Sequence, residues 1–258
     1  MAIITLTTDL GLKDYYVGAI KGYILAQLPT VNIVDISHLI TPFDIAEAAY
    51  VIRNSYSSFP KGTVHIIGVL TEETASTPHV CIQYDEHYFI GADNGMFSLI
   101  FSRKPDKIIE LTLPPESGNL LFPTRDSFAK AACHIARGGT LEIIGKPKAH
   151  FNEKTFLQPA LFGNVLRGSV IYIDSFNNAI TNISRSIVKE VGKGKPFTID
   201  MGSKFKIHQL SKTYNDVPEG EIVGLFNSAD YLEIAINKGN ASQLLNLQNG
   251  DTISLHFL

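Results

Sequence analysis

Two periodicities divide this chain. From Ile3 to about Gly139, period-two apolar runs alternate with helix-spaced segments. Beyond about Pro159 the apolar runs are short and strand-like, separated by Gly, Asn, Asp and Pro. Strands that alternate with helices predict a parallel sheet covered on both faces. A succession of short strands predicts a small barrel or sandwich. The chain is therefore read as an α/β domain over 1–146 with a mainly parallel sheet, a linker over 147–160, and a smaller all-β, barrel-like domain over 161–258.

Individual segments carry that reading. "AIITLTTD", "VNIVDIS", "TVHIIGVL" and "DKIIELTL" are strands, and "HVCIQYD" and "HYFIGAD" form a hairpin around Glu86–His87. "YYVGAIKGYILAQLP" is a helix ending at Pro29. "DIAEAAYVIRNSYSSFP" is a helix with Asp44 as its cap and Ile45, Ala48, Ala49 and Ile52 on its apolar face. "GMFSLIFS" is a short helix, and "SFAKAACHIARGG" a helix closed by Gly138 and Gly139. In the second half seven stretches, from "LFGNVLRGSVIYID" to "DTISLHFL", read as strands.

With a net charge of −3 and no long basic run, binding driven by neutralisation of nucleic-acid phosphates is not expected. No stretch has the roughly 18 uninterrupted apolar residues of a membrane span. The N-terminus enters a strand without a basic leader, so a cytoplasmic protein with no signal peptide is expected. Cys81 and Cys133 stand apart in apolar surroundings and read as buried thiols. There is no GxGxxG, P-loop or HExxH, so neither a cofactor nor a metal is expected.

Polar residues gather where strands end. "TTDLGLKD" places Asp9, Gly11 and Asp14 just after the first strand. In α/β proteins the crevice beyond the carboxyl ends of the strands is where ligands sit. "ISHLITPFD" and "LFPTRDSF" have the same character. In "IYIDSFNNAITN", Asp174, Phe176 and Asn178 fall two apart, so on a strand they share one side. An amide to pair with a base edge, a ring to stack on it and a carboxylate for hydroxyls or an amine would grip a nucleoside. The same composition also makes an ordinary turn. Phe43 by itself reads as a packing residue at a helix start sooner than as a base stacker, and Asp9 by itself as a turn or cap residue. His65 and His134 read as satisfied core histidines, and His38 remains open.

Together "TLTTDLGLKDYYVGAIKG", "VNIVDISHLITPFDIAEAAYVI", "FPKGTVHI", "GADNGMFS", "RDSFAKAACHIARG", "IYIDSFNNAITNI" and "YLEIAIN" resemble one family across essentially the whole chain. It is the S-adenosylmethionine hydroxide adenosyltransferases, which also include fluorinases and chlorinases. The resemblance implies a homotrimer with S-adenosylmethionine held between subunits, as substrate or ligand and not as cofactor. It implies that Asp9 holds both ribose hydroxyls, that Asp14 and Asp174 lie near the methionine ammonium, and that Phe43 and Phe176 stack around the adenine. It also places Asn178 at the base edge, Phe122 and Thr124 at the ribose and its C5′ carbon, and Ser228 and Ala229 near the adenine or methionine.

The chain departs from the family where water would be activated. Family hydrolases follow the third strand with Asp-Pro-Gly and then Arg, and carry a His after the Phe of "LFPTRD". Here Leu70, Thr77 and Pro123 occupy those positions. The Tyr-and-Thr arrangement of the fluorinase halide pocket is missing too, although Thr124 matches its halide-side hydroxyl position. The expectation is a divergent hydrolase that forms adenosine and L-methionine, with Thr124, Glu72 and Glu73 as candidate catalytic groups. The alternative is a catalytically silent binder, in which the Glu72–His79 stretch is a solvated loop.

Overall fold

The computed structural model describes residues 2–114, 120–155, 157–202 and 204–258. The chain divides into two compact units, Met1–Thr155 and Phe156–Leu258.

The first unit runs β1 (Ile3–Thr8), α1 (Tyr16–Gln27), β2 (Asn32–Ser37), α2 (Ile45–Arg53), β3 (Val64–Gly68), β4 (His79–Tyr84), β5 (His87–Ala92), α3 (Met96–Ile100) and β6 (Lys107–Leu111). A π-helical stretch, Thr124–Ala129, then leads into α4 (Lys130–Ala136), α5 (Leu141–Ile144) and β7 (Gly145–Pro147). The sheet order is β2-β1-β3-β5-β4-β6-β7. Ile4, Leu6, Ile66 and Ile90 of the sheet pack against Ile20 and Ile24 of α1 and against Phe128 and Ala132.

The sheet is mixed, so the mainly parallel expectation holds only in part. β2-β1-β3-β5 is parallel, and the pairings of β4 with β5, β4 with β6 and β6 with β7 are antiparallel. The reason lies at Asp85–Glu86, one residue earlier than the turn read from the sequence. Tyr84 pairs with His87, and the two residues between have φ of 52° and 61°. Two residues with positive φ form a tight hairpin turn, which can only reverse the chain.

Local chemistry elsewhere is as expected. Asp44 caps α2, accepting from the Ala46 and Glu47 amides at 2.9 Å each, and Ala48, Ala49 and Ile52 are buried. Asp44→Ala is expected to cost about 1–2 kcal/mol, read as a lower urea midpoint with an unchanged denaturant slope. Cys81 and Cys133 are free and buried, and burial pushes the Cys133 thiol up to about 11. His65 is fully buried and satisfied. His134 is satisfied by the Thr140 carbonyl at 2.9 Å but only half-buried, so it is not a core histidine. No helix among the described residues is long and apolar enough to cross a membrane.

The second unit runs β8 (Ala160–Phe162), β9 (Val165–Ile173), β10 (Ala179–Ser184), α6 (Arg185–Gly192), β11 (Phe197–Asp200), β12 (Lys206–Ile207), β13 (Ile222–Phe226), β14 (Tyr231–Ile236), α7 (Ala241–Leu245) and β15 (Thr252–Phe257). Its antiparallel order is β12-β11-β15-β9-β10-β14-β13, with β8 on β9. The Ser211 amide donates to the Gly224 carbonyl at 2.8 Å, so the chain after β12 returns to β13 and nearly closes a barrel. The unit is barrel-like but not all-β, because α6 and α7 interrupt it. Ser184 and Asn240 cap these helices through the Ile187 and Gln243 amides.

Candidate functional site

The chain leaves β1 for β2 on one side and returns to β3 on the other. The carboxyl ends of β1 and β3 therefore bound a topological switch point, where open α/β sheets bind ligands. Asp9 lies there, its amide 3.5 Å from the Gly68 carbonyl. Asp9 Oδ2 accepts the Phe43 amide at 2.9 Å. Gly11, at φ 67°, donates to the His38 carbonyl at 2.8 Å and so turns the chain beside this edge.

Phe43 is a non-glycine residue at φ 67°, and its ring is 70 % exposed. Such a conformation costs about 1–3 kcal/mol and persists only where its surroundings impose it. Two contacts impose it here: the Asp9 carboxylate on the Phe43 amide, and the Asp44 amide on the Thr41 carbonyl at 3.0 Å. The aromatic ring is thereby held outward instead of packing at the helix start.

Thr124 opens the π-helical stretch and is 2 % exposed. A π-helical turn often marks a functional position. A Cβ on Gly68 would meet Thr124 Oγ1 at 2.8 Å and Cγ2 at 2.9 Å, so glycine at the end of β3 makes room for this threonine. Gly68→Ala is expected to destabilise the protein by about 1–3 kcal/mol, and adding Thr124→Ala should restore most of the loss in denaturation midpoint. Phe122 meets Tyr16 edge-on at 5.3 Å and carries the Arg125 guanidinium 5.0 Å above its ring. Arg125 in turn forks onto buried Asp126 at 2.7 and 3.0 Å.

The loop after β3 begins with Leu70 at φ 47°. The Asn94 amide donates to the Val69 and Leu70 carbonyls at 3.3 and 3.1 Å. Glu72 and Glu73 are exposed, and Glu73 lies 3.7 Å from Nδ1 of His79, whose Nε2 donates to the Thr71 carbonyl. Asp14 is exposed in the bend before α1. His38 is buried, bonds Thr8 Oγ1 at 2.7 Å, and has Nε2 3.1 Å from Asp35.

In the second unit, Asp174–Asn178 is the turn between β9 and β10, not a continued strand. Asp174 Oδ1 accepts the Phe176 and Asn178 amides at 2.9 and 2.8 Å, and Oδ2 accepts the Asn178 side-chain amide at 3.2 Å. The turn chemistry, and not strand alternation, sets these side chains. It leaves Phe176 77 % exposed and Asn178 buried. Ser228 and Ala229 occupy the β13–β14 turn, where Asn227 Oδ1 accepts the Ala229 and Tyr231 amides. Ala179 pairs with Ile234 and Ser184 lies opposite Tyr231. The two turns are thus at opposite ends of β10, roughly 17 Å apart at strand rise, so one subunit does not bring Ser228 and Ala229 beside Asn178.

Sequence reasoning passed over Glu233. It is 3 % exposed, and the Tyr214 hydroxyl donates to it at 2.7 Å. Burial, reinforced by the Asp174 charge, holds its carboxyl above the usual range, although the hydroxyl bond opposes this. A carboxylate inside the apolar strand "YLEIAIN" was the available signal.

An α/β unit with a polar crevice at its switch point, followed by a nearly closed antiparallel barrel, defines a two-domain architecture. The chain belongs to the SAM hydroxide adenosyltransferase family: the family's N-terminal domain matches residues 4–145 and its C-terminal domain residues 168–254. It is 30 % identical to an (R)-S-adenosyl-L-methionine hydrolase of Thermus thermophilus, over 96 % of this chain and 97 % of the relative. It is 26 % identical to a fluorinase of Actinoplanes sp., over 98 % and 97 % of the two chains. An uncharacterized conserved protein from Thermotoga maritima superposes with a TM-score of 0.89 at 29 % identity, covering 99 % of each chain.

Proposed function

We propose that this protein binds S-adenosylmethionine and cleaves it with water at C5′, giving adenosine and L-methionine. Water oxygen forms the new bond to C5′, the C5′–sulfur bond breaks, and its electron pair returns the sulfonium to a neutral thioether. The proton lost from water passes to solvent. The observation that carries this reading is the Asp9 carboxylate fixed at the switch point and joined to an outward Phe43 ring. A carboxylate suits a cis-diol, since its two oxygens accept two hydroxyl hydrogens. The hydrolase relatives lend support and suggest the R configuration at sulfur, a centre with three different carbon substituents.

Leu70 and Pro123 cannot exchange a proton, so positioning and desolvation must do most of the catalysis. A sulfonium leaves readily, which makes this sufficient for a slow reaction. Thr124 is the group proposed to face the nucleophile. Glu72 and Glu73 add base strength only if their loop turns inward. Their exposure, with Leu70 and Pro123, favours the second reading, a silent binder of S-adenosylmethionine or adenosine.

Phe43, Asp9 and Asp14 lie in one unit, and Asp174, Phe176 and Asn178 in the other. We propose that different subunits of a homotrimer supply the two sets; light scattering should give three times the chain mass, and a monomer would contradict it. Calorimetry should detect S-adenosylmethionine or adenosine, with Phe43→Ala and Phe176→Ala each costing about 1–3 kcal/mol of affinity. Absence of binding at millimolar ligand would overturn the reading.

A further inference from the structure

The second unit carries a cavity of about 550 Å³ bordered by α6, the start of β11 and the segment after β12. Four cations line it: Arg185, Lys189, Lys195 and Lys212. Arg185 and Lys189 stand four apart on α6, a like-charge spacing that destabilises a helix unless an anion lies between. The described acids nearby form no ion pair with the three lysines, and one of them pairs with Arg185. Asp230 holds Arg185 Nε at 2.7 Å. Asp216 accepts the Thr213 hydroxyl and the Lys212 and Thr213 amides. Glu190 follows Lys189 by one residue and so points about 100° around the helix. Among the described residues Lys189, Lys195 and Lys212 form no side-chain ion pair within the hydrogen-bonding or salt-bridge range.

The remaining lining is apolar and includes Phe197, Leu210 and Phe226. The Arg185 guanidinium lies 4.7 Å above the Phe226 ring and is pinned by Asp230, so its orientation is fixed before any ligand arrives. The volume falls within the roughly 300–1,000 Å³ of organic-ligand sites, more than one phosphate needs. We propose that this cavity binds an organic polyphosphate of nucleoside triphosphate size, its phosphates among the lysines and its ring on the apolar lining. This site lies wholly within the second unit and involves none of the residues proposed to bind S-adenosylmethionine.

The test is calorimetry at low salt with adenosine triphosphate, inorganic triphosphate and adenosine as separate probes. Adenosine triphosphate should bind more tightly than inorganic triphosphate. Both should weaken at least tenfold in the Lys189→Gln/Lys195→Gln/Lys212→Gln protein, whose substitutions are at exposed positions. Asp9→Ala should leave both unchanged, and adenosine binding should not depend on the lysines. No adenosine triphosphate binding at millimolar concentration would overturn the proposal. So would unchanged affinity in the triple variant, or inorganic triphosphate matching the nucleotide, which would mark a simple anion site.

Discussion

Acidification from pH 6.5 to 4.5 is expected to cost this protein about 2 kcal/mol of stability through His65, the slope rising toward about 1.4 kcal/mol per pH unit once the unfolded ring is fully protonated. His65 is fully buried between Thr5 Oγ1, at 2.7 Å, and His87 Nδ1, at 3.2 Å, with Tyr56, Phe59 and Phe89 around its ring. Burial, followed by the His87 charge, pushes it down to about 3. Below pH 6.5 the unfolded chain takes up a proton that the native ring refuses, so stability falls until pH approaches 3. His87, lowered chiefly by burial while Asp85 and Glu86 act against this, contributes in the same direction.

Other groups act in different windows or senses. Glu142, Asp200 and Asp216 are held low by Lys107, the Gly202 amide and the Thr213 hydroxyl respectively, so their contributions are lost mainly below about pH 4. Asp93 and Glu233, raised by burial, gain relative stability on acidification and offset part of the loss. His65 carries the largest shift of those that titrate in acid. Urea titrations at the two pH values give the stability difference. A His65 ring signal that titrated near 6.5 in the native protein would contradict this account.

Asp9→Ala is expected to weaken S-adenosylmethionine binding a hundredfold or more, about 3 kcal/mol, the value of two hydrogen bonds to a charged acceptor. The substitution also releases the Phe43 amide and with it the outward ring. Phe43→Gly separates the two effects. Glycine adopts φ 67° without strain, so the ligand-free protein should gain about 1 kcal/mol while losing the stacking surface. A gain in stability with weakened binding would identify the strain as serving the site. Wild-type affinity in Asp9→Ala would remove Asp9 from it.

What the sequence disclosed follows from how local each determinant is. The Asp44 cap needs only the residues that follow it, and the strand runs need only their own alternation. The hairpin of β4 and β5 was legible, displaced by one residue, but the mixed sheet was not, because the pairing of β6 with β4 and of β7 with β6 joins segments far apart in sequence, which no local alternation reports. α6 was hidden because its polar face breaks the apolar pattern in a region of strands. The Asp174–Asn178 set was visible as residue types, but its geometry depends on Asp174 accepting three hydrogen bonds within the turn. Gly68 against Thr124, and Asp9 against Phe43, are pairings made by the sheet between distant segments, and no local pattern reports them.

Incubation with S-adenosylmethionine of each sulfur configuration in ¹⁸O-water, followed by chromatography and mass spectrometry, tests the central claim most directly. The account predicts equimolar adenosine and methionine, with the label in the 5′-hydroxyl and the R epimer consumed faster. Intact S-adenosylmethionine after prolonged incubation, with binding confirmed by calorimetry, would contradict hydrolysis and leave a binding protein.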